Sequence, residues 1–282
     1  MAFSVTCWNV EFFGSKRKGD MNADVVARID RVFNYLHDEI DTDIYVIFEA
    51  NGQQVFGPAT TLFPDYHWDI TEGSGSQDIL IGARRPVFIT ERTEFARGFN
   101  GPLRPGSLVT LTDGGVNYSM LFLHLKAADE AIDFGVRVHQ HEKARSLRKA
   151  LDGAAPAGER ANFIVAGDLN SVGLGLSFSD SDITLANEVA RVKEMYSSRW
   201  DRMPVRAKSH DVTFWNGPGS SSPPSDLDHV AAAEQIRFAG VAGADVEVKG
   251  WPERATDAQK AKWIRDYSDH ALLRFEVLGT GP

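Results

Sequence analysis

The sequence contains a single cysteine, Cys7, which lies in an apolar run and cannot form an internal disulfide bond. The chain therefore folds without disulfide cross-links, as proteins of reducing compartments do. No stretch approaches the roughly 18 apolar residues of a membrane helix, and residues 1–20 lack the apolar segment of a signal peptide. From these absences we expect a cytoplasmic protein without a membrane span.

Positively charged residues are also in deficit, since 30 Lys and Arg stand against 39 Asp and Glu, for a formal net charge of -9. This balance excludes a basic protein that coats nucleic acid over its whole surface. It does not exclude a local anion site, because charge is screened beyond a Debye length of about 8 to 10 Å. A nucleic-acid substrate is therefore compatible with the overall charge.

The sequence has no internal repeat and no long linker among its 282 residues, and strand-like apolar runs recur from end to end. We therefore expect a single domain over residues 1–282. Helical patterns are few, and three of them lie at residues 23–37, 136–151 and 183–197. Two sheets packed face to face, with helices outside, account for this balance of strands and helices.

Polar side chains stand at the ends of two strand-like runs. Residues 162–166 form a short apolar run, and Asp168 and Asn170 follow it closely. The second group, Ser268-Asp269-His270, directly precedes the alternating run 271–278. Carboxylate, amide and imidazole groups at strand ends indicate metal-assisted phosphoester chemistry.

Further strand-like runs carry a polar residue near an end. The residues concerned are Asn9, Glu11, Glu49, His124 and Asp228. The run that contains His124 follows a predicted Asp113-Gly114 hairpin turn. The run that contains Asp228 follows a loop rich in Gly, Ser and Pro, residues 217–225, which we expect on the surface near the site.

The order of these motifs resembles the endonuclease/exonuclease/phosphatase superfamily, in its deoxyribonuclease-I-like form. That family has W-N, a strand-terminal E, H-L, G-D-x-N, a D followed by an aromatic residue or His, and S-D-H. All six occur here in order, as Trp8-Asn9, Glu49, His124-Leu125, Gly167-Asp168-Leu169-Asn170, Asp228-His229 and Ser268-Asp269-His270. Softer agreement comes from Arg137-x-x-Gln140 and Thr213-Phe-Trp215.

The resemblance implies an α+β fold, a four-layer α/β/β/α sandwich of two mainly antiparallel sheets. It also implies a metal-dependent phosphoric-ester hydrolase, in which Mg2+ neutralises charge while water attacks phosphorus in line with the leaving oxygen. Glu49 is the first candidate metal ligand, with Asp269 and Glu11 as further ligands and Mn2+ as a substitute ion. Three converging carboxylates would repel one another strongly without a cation.

The same resemblance implies roles for the other polar residues. His270 contacts the phosphate or activates water, and Asp228 fixes its tautomer and stabilises its charged form. Asp168 orients or deprotonates the attacking water. The donors to phosphate oxygens are Asn9, Asn170 and His124. The resemblance leaves open whether Asp168 or His270 is the general base.

Two departures from the family pattern bear on the substrate. Phe48 precedes Glu49 where the family usually has Gln, and the Y-x-P-N segment of the abasic-site endonuclease branch is absent. The His124-Leu-Lys126 setting is more similar to the deoxyribonuclease-I and sphingomyelinase branches. A basic loop, residues 15–19, is expected at the rim of the site, where it either grips a nucleic-acid backbone or forms a solvated turn before the first helix.

We therefore predict a Mg2+-dependent nuclease, in first place an endonuclease, that acts as a monomer on DNA or RNA. The alternatives are a phosphatase or a phospholipid (sphingomyelinase-like) phosphodiesterase. A catalytically silent binding module on the same scaffold is disfavoured, because no expected acid, amide or histidine is missing.

Taken singly, several of these residues also fit structural roles. Asp168-Leu-Asn170 matches a turn with Asx hydrogen bonds, His124 matches a core histidine, and Glu11 matches a solvated loop carboxylate. The ordered set of motifs is what favours the catalytic interpretation for Asp168 and His124.

Other conspicuous residues are interpreted as structural. His139 and His141 are two apart on a predicted helix and do not face one another, so we interpret them as part of a solvated face rather than as metal ligands. Arg84 and Arg85 are interpreted as sheet-edge residues in preference to contacts with a substrate phosphate. Trp215 is interpreted as a core residue in preference to a stacking contact with nucleic acid.

Overall fold

The computed structural model of the chain describes residues 2–14, 22–71, 77–96, 104–177, 179 and 183–281. The α-helices of this part are α1 (Ala23–Tyr35), α2 (Gly52–Leu62), α3 (Ala131–Ala154), α4 (Leu185–Tyr196) and α5 (Asp257–Asp266). Its strands are β1 (Phe3–Phe13), β2 (Ile44–Ala50), β3 (His67–Ile70), β4 (Asp78–Ala83), β5 (Val87–Arg92), β6 (Gly106–Asp113), β7 (Val116–His124), β8 (Asn162–Asp168), β9 (Asp228–Ala232), β10 (Ile236–Phe238), β11 (Glu247–Lys249) and β12 (Leu272–Thr280). None of these helices combines the length and the apolar character that a membrane span requires.

The described strands form two sheets. The larger sheet has the order β10-β12-β1-β2-β4-β3, with β11 also paired to β12, and the smaller has the order β5-β6-β7-β8-β9. The β1–β2 and β7–β8 pairs are parallel, whereas the other pairs are antiparallel. The predicted α+β sandwich of two mainly antiparallel sheets is confirmed.

The two sheets pack through apolar side chains and approach each other closely at Gly167. The rings of Phe3 and Tyr118, one from each sheet, have centroids 5.1 Å apart. A Cβ atom at Gly167, whose φ is +133°, would lie 2.7 Å from Cζ of Phe48 and 2.2 Å from the carbonyl oxygen of Leu123. A side chain at this position would force the sheets apart, so glycine is required immediately before Asp168.

Local sequence signals place several elements correctly. β6 and β7 are joined by Gly114 and Gly115, whose φ angles of +58° and +81° give the two-residue turn that matches the twist of a hairpin. Asp113 pairs with Val116 across this turn, as the predicted hairpin requires. The three predicted helices are present, although α3 begins five residues before the predicted start at residue 136 and α1 is followed by a π-helical turn, Leu36–Ile40. The helices α2 and α5 were not predicted from the sequence.

The buried face of α3 is mainly polar. Its buried residues are Asp133, Arg137, Gln140, His141, Ala144 and Arg148. The interpretation of His141 as part of a solvated face is wrong, since its side chain is inside the protein with 3% of its surface exposed, whereas His139 is exposed. His141 lies on the side of α3 that faces α4, where its Nδ1 is 3.1 Å from Oη of Tyr196.

Burial also makes His141 sensitive to acid. Loss of water around the ring, together with the charge of Arg137, lowers the pKa of His141 to about 4. In the unfolded chain the pKa returns to about 6.5, so the unfolded state binds the proton more readily. The stability that neutral His141 contributes is therefore present above pH 6.5 and is lost as the pH falls toward 4.

We expect the free energy of unfolding to fall more steeply with acid in the wild-type protein than in His141→Gln. Between pH 7 and pH 5 the difference between the two proteins should change by about 2 kcal/mol, which follows from the two pKa values. Urea denaturation at the two pH values measures this change. Parallel pH dependence in both proteins would show that His141 is not held neutral by burial.

Candidate active site

The strand topology brings the ends of six strands to one edge of the sandwich. β1 and β2 are parallel, as are β7 and β8, so their carboxyl ends lie together within each sheet. β12 and β9 run antiparallel to β1 and β8, so their first residues reach the same edge. The polar residues carried there are Asn9, Glu49, His124, Asp168, Asp228, Asp269 and His270.

Asp168 lies at the centre of this edge and is almost fully buried, with 1% of its surface exposed. Its Oδ2 accepts a hydrogen bond of 2.9 Å from Nδ2 of Asn9, and its Oδ1 accepts one of 3.1 Å from the backbone N–H of Asn170. Burial raises the pKa of Asp168 and the charge of Asp228 adds to this rise, although the neighbouring His270 opposes it. The carboxylate is thus oriented by both sheets.

His270 forms a dyad with Asp228. Its Nδ1 is 2.9 Å from Oδ2 of Asp228, and its Nε2 is 3.8 Å from Oδ2 of Asp168. Burial by itself would lower the pKa of His270, but the charges of Asp228 and Asp168 outweigh that effect and raise it. The backbone of His270 is fixed by the indole N–H of Trp8, which donates to its carbonyl oxygen at 2.9 Å.

Asp228 is in turn held by the segment that carries the Thr213-Phe-Trp215 motif. Oγ1 of Thr213 accepts hydrogen bonds from the backbone N–H of Leu227 at 3.1 Å and of Asp228 at 3.0 Å. Nζ of Lys208 donates to the carbonyl oxygen of Asp228 at 2.8 Å. These contacts fix the direction in which the Asp228 carboxylate points toward His270.

Glu49, the residue before the last of β2, has a left-handed backbone conformation, with φ at +60°. A register shift in β1 between Asn9 and Phe13 lets the backbone N–H of Phe12 donate to Oε2 of Glu49 at 3.1 Å. Left-handed backbone at a non-glycine residue is strained and is maintained at functional sites by surrounding contacts. The carboxylate is therefore held in place within the site.

Asp269 and Glu11 add negative charge near Glu49. The pKa of Asp269 is raised by burial and by the charge of Glu49, and the pKa of Glu11 is raised by partial burial and then by the charge of Asp269. Glu11 nevertheless keeps part of its surface open to solvent. This mutual repulsion of oxygen ligands is what a divalent cation would relieve, so the donor set suits Mg2+ or Mn2+.

A second arrangement that suits a metal lies deeper in the site. Within the described residues, ligand atoms of Asp168, Asp228 and His270 come within 4.8 Å of one another. The predicted ligand set of Glu49, Asp269 and Glu11 therefore stays a prediction, and the deeper group is its competitor.

Arg104 is a site residue that the sequence motifs did not indicate. Its Nη1 is 2.5 Å from Nε2 of His124, and its Nη2 is 3.6 Å from Oε1 of Glu49. Nε2 of His124 also lies 3.5 Å from Oε1 of Glu49 and 3.4 Å from Oδ2 of Asp168, so His124 faces the site rather than the core. Arg104 precedes β6 in a left-handed conformation, which a lone arginine in a sequence does not reveal.

Other residues considered from the sequence lie elsewhere. Arg84 pairs with Asp41 at 2.6 Å and with Asp43 at 3.1 Å, and Arg85 pairs with Asp113 at 2.5 Å, which fits the sheet-edge interpretation. Trp215 is half-buried, and its ring centroid lies 5.8 Å from that of Trp251. The basic loop, residues 15–19, lies outside the described residues.

A model of the Endonuclease/Exonuclease/phosphatase family matches residues 6–270. That range covers every candidate site residue named above. No curated protein matches the chain.

Solved structures of similar fold include proteins with different substrates. Truncated TDP2 from Caenorhabditis elegans has a TM-score of 0.64 at 14% identity, over 99% of this chain and 98% of that one. Sphingomyelinase C from Streptomyces griseocarneus has a TM-score of 0.63 at 18% identity, over 98% of this chain and 99% of that one. TDP2 from D. rerio, complexed with a single-strand DNA product, has a TM-score of 0.59 at 15% identity, over 99% of both chains. At these identities the likeness shows the fold.

We expect Glu49→Gln to weaken Mg2+ binding about tenfold or more, because one negatively charged oxygen ligand is lost. Isothermal titration calorimetry measures the affinity, with Glu39→Gln, a change at an exposed glutamate, as the control. Unchanged affinity in Glu49→Gln, together with lost affinity in Asp228→Asn, would place the ion at the Asp168, Asp228 and His270 group instead.

Proposed function

This chain belongs to the endonuclease/exonuclease/phosphatase family, whose members hydrolyse phosphoester bonds, and on that premise we propose that it is a metal-dependent phosphodiesterase acting on nucleic acid. The observation that carries the proposal is the His270–Asp228 dyad, which faces the buried Asp168 carboxylate across 3.8 Å. Imidazole, its carboxylate partner and a second oriented carboxylate are the groups that proton transfer to and from water and a phosphate oxygen requires.

The geometry supports a division of roles between the two acidic residues. Asp228 holds Nδ1 of His270, so Nε2 of His270 is the nitrogen directed toward the phosphate. Two nearby carboxylates favour the charged imidazolium, which donates to a phosphate oxygen. Asp168, oriented by Asn9, is then the group that aligns the attacking water and accepts its proton.

In this proposal the side-chain amides of the two asparagines donate hydrogen bonds to protein atoms rather than to the phosphate. Nδ2 of Asn9 donates to Asp168, and Nδ2 of Asn170 donates to the carbonyl oxygen of Leu125 at 3.2 Å. Both amides therefore orient the site, whereas direct donation from them to the phosphate stays a prediction from the sequence.

The remaining groups set the charge around the position proposed for the substrate phosphate, which we call the phosphate subsite. Glu49, with Asp269 and Glu11, would hold Mg2+, which when bound neutralises phosphate charge and lowers the pKa of a coordinated water. Arg104 and His124 line the same region, so they supply further donors for phosphate oxygens.

The substrate class is proposed from two considerations. A single-strand DNA product is bound to D. rerio TDP2, a protein of the same fold, and the basic loop 15–19 follows β1, the strand that supplies Asn9 and Glu11. The second candidate is a phospholipid phosphodiesterase, because the fold of sphingomyelinase C is matched with a TM-score of 0.63. Net charge of -9 is consistent with either, since it does not determine the local potential.

We expect the purified protein to nick supercoiled plasmid in the presence of Mg2+ and to lose this activity in EDTA. His270→Ala and Asp168→Ala should each lower the rate by about 10²- to 10⁴-fold, the usual contribution of a positioned acid or base. His139→Ala, at an exposed histidine of α3, is the matched control and should retain wild-type activity. Gel electrophoresis of relaxed and supercoiled forms gives the rates.

Absence of nicking with both Mg2+ and Mn2+ would reject the nuclease. The same wild-type, EDTA and His270→Ala samples should then be assayed on sphingomyelin and on a phosphomonoester. Wild-type rates in His270→Ala or Asp168→Ala would reject the site itself, whatever the substrate.

We also expect Asp228→Asn to lower activity by about 10²-fold or more while the fold is kept, because the amide preserves shape but stabilises neither the charged imidazolium nor its tautomer. Asp211→Asn, at an exposed aspartate, serves as the control. Circular dichroism verifies the fold, and the initial rate of plasmid nicking gives the effect. Equal rates in Asp228→Asn and Asp211→Asn would remove the dyad from the mechanism.

A further inference from the structure

Two loops begin at the edge of the sandwich that carries the candidate site, each directly after a site residue. The β7 loop, residues 125–130, follows His124, and the β8 loop, residues 169–175, follows Asp168. They are joined to each other at both ends, since the backbone N–H of Leu125 donates to the carbonyl oxygen of Asp168 at 2.9 Å and that of Gly175 donates to the carbonyl oxygen of Asp129 at 2.6 Å. A shift of either loop would therefore disturb the site.

The guanidinium of Arg137, in α3, donates hydrogen bonds to the backbone of both loops. Its side chain is completely buried, with 0% exposure. Nη1 donates to the carbonyl oxygens of Lys126 at 3.2 Å and Ala128 at 2.5 Å in the β7 loop, and Nη2 donates to that of Gly173 at 2.7 Å in the β8 loop. One guanidinium thus satisfies backbone acceptors on both sides.

Glu188 of α4 completes this arrangement. Its Oε1 accepts from Nε of Arg137 at 2.8 Å, and its Oε2 accepts from Nη2 at 2.9 Å. Oε2 also accepts from the backbone N–H of Gly173 at 2.6 Å, so the β8 loop is held by both members of the pair. Gly173 has φ at +89°, and a Cβ there would lie 2.8 Å from the carbonyl oxygen of Ile183, which leaves no room for a side chain.

The free-energy cost of burying charges indicates that the Arg137–Glu188 ion pair serves to position the loops more than to stabilise the fold. Burial of an ion pair removes both charges from water, and apolar residues of similar volume often give equal or greater stability. The planar fork of arginine, however, directs several donors at fixed angles, which lysine cannot do. Both loops also contain non-glycine residues in the left-handed region, Ala128 at +77° and Asn170 at +47°, which surrounding contacts must maintain.

We propose that Arg137 and Glu188 are positioning residues, whose buried pair holds the β7 and β8 loops so that Asn170 stays bonded to Asp168 and His124 keeps its place in the site. The pair touches none of the proposed reacting groups and acts through the loop backbones. The kinetic part of this inference rests on the proposed phosphodiesterase function, whereas the structural part does not.

Arg137→Lys and Glu188→Gln test the proposal in the full chain. Each should lower kcat for Mg2+-dependent cleavage of a single-stranded oligonucleotide by about 10- to 100-fold, because small misplacements of catalytic groups have effects of this size. KM should change less than twofold, since neither residue lines the phosphate subsite. Glu188→Gln gives a second reading if Arg137→Lys folds poorly.

Hydrogen exchange supplies a readout that does not depend on activity. In both variants the amides of Asn170, Gly173 and Gly175 should exchange faster, while those of Ile164 and Val165 in β8 keep their protection. Arg148→Lys is the matched control. Arg148 lies toward the C-terminal end of the same helix, is 1% exposed and pairs with Asp152 at 3.1 Å instead of with either loop. It should leave kcat and loop exchange unchanged.

Faster loop exchange together with lower kcat supports the proposal. Unchanged loop exchange in Arg137→Lys and Glu188→Gln overturns it, as does faster loop exchange with wild-type kcat. If the wild-type protein cleaves no nucleic acid, the proposed function fails by itself, and the exchange measurement still decides whether the pair holds the loops.

Discussion

Asn9 and Asp168 belong to different sheets, and the hydrogen bond between their side chains depends on the close approach of those sheets at Gly167. The packing of the two sheets therefore determines the geometry of the site directly. Its apolar interior sets the separation of two strand ends, and that separation determines whether the Asp168 carboxylate can be oriented from across the gap. His270 and Glu49 reach the same edge through strands adjacent to β1, so they depend on the same packing.

The site concentrates acidic groups where water is scarce. Burial raises the pKa of Asp168 and Asp269, which means that the charged form of each carboxylate is costly where water is scarce. Cationic partners limit the cost, and the structure supplies them as His270 and Arg104. In the proposed function, a divalent cation beside Glu49 would complete this compensation.

Polar burial continues behind the site along α3. An ordinary surface helix turns apolar side chains inward, but α3 turns Arg137, Gln140 and His141 inward and leaves Ile132 and Val138 exposed. Like Arg137, Gln140 hydrogen-bonds to backbone groups outside the helix. Its side chain donates to the carbonyl oxygen of Phe95 at 2.6 Å and accepts from the backbone N–H of Lys126 at 3.3 Å. The helix thus satisfies loop backbones that have no strand to pair with.

Much of this protein follows from local sequence. Period-two apolar runs, the glycine turn after Asp113 and the order of the six motifs were sufficient for the two-sheet sandwich and for most of the residues that meet at its edge. The burial of His141 and the place of Arg104 were not accessible in this way. Helical spacing shows which residues share a face but not what packs on that face, and an arginine in a loop carries no sign of its partner. Those features depend on contacts between segments far apart in the chain, Tyr196 for His141 and Glu49 for Arg104, which only the tertiary structure brings together.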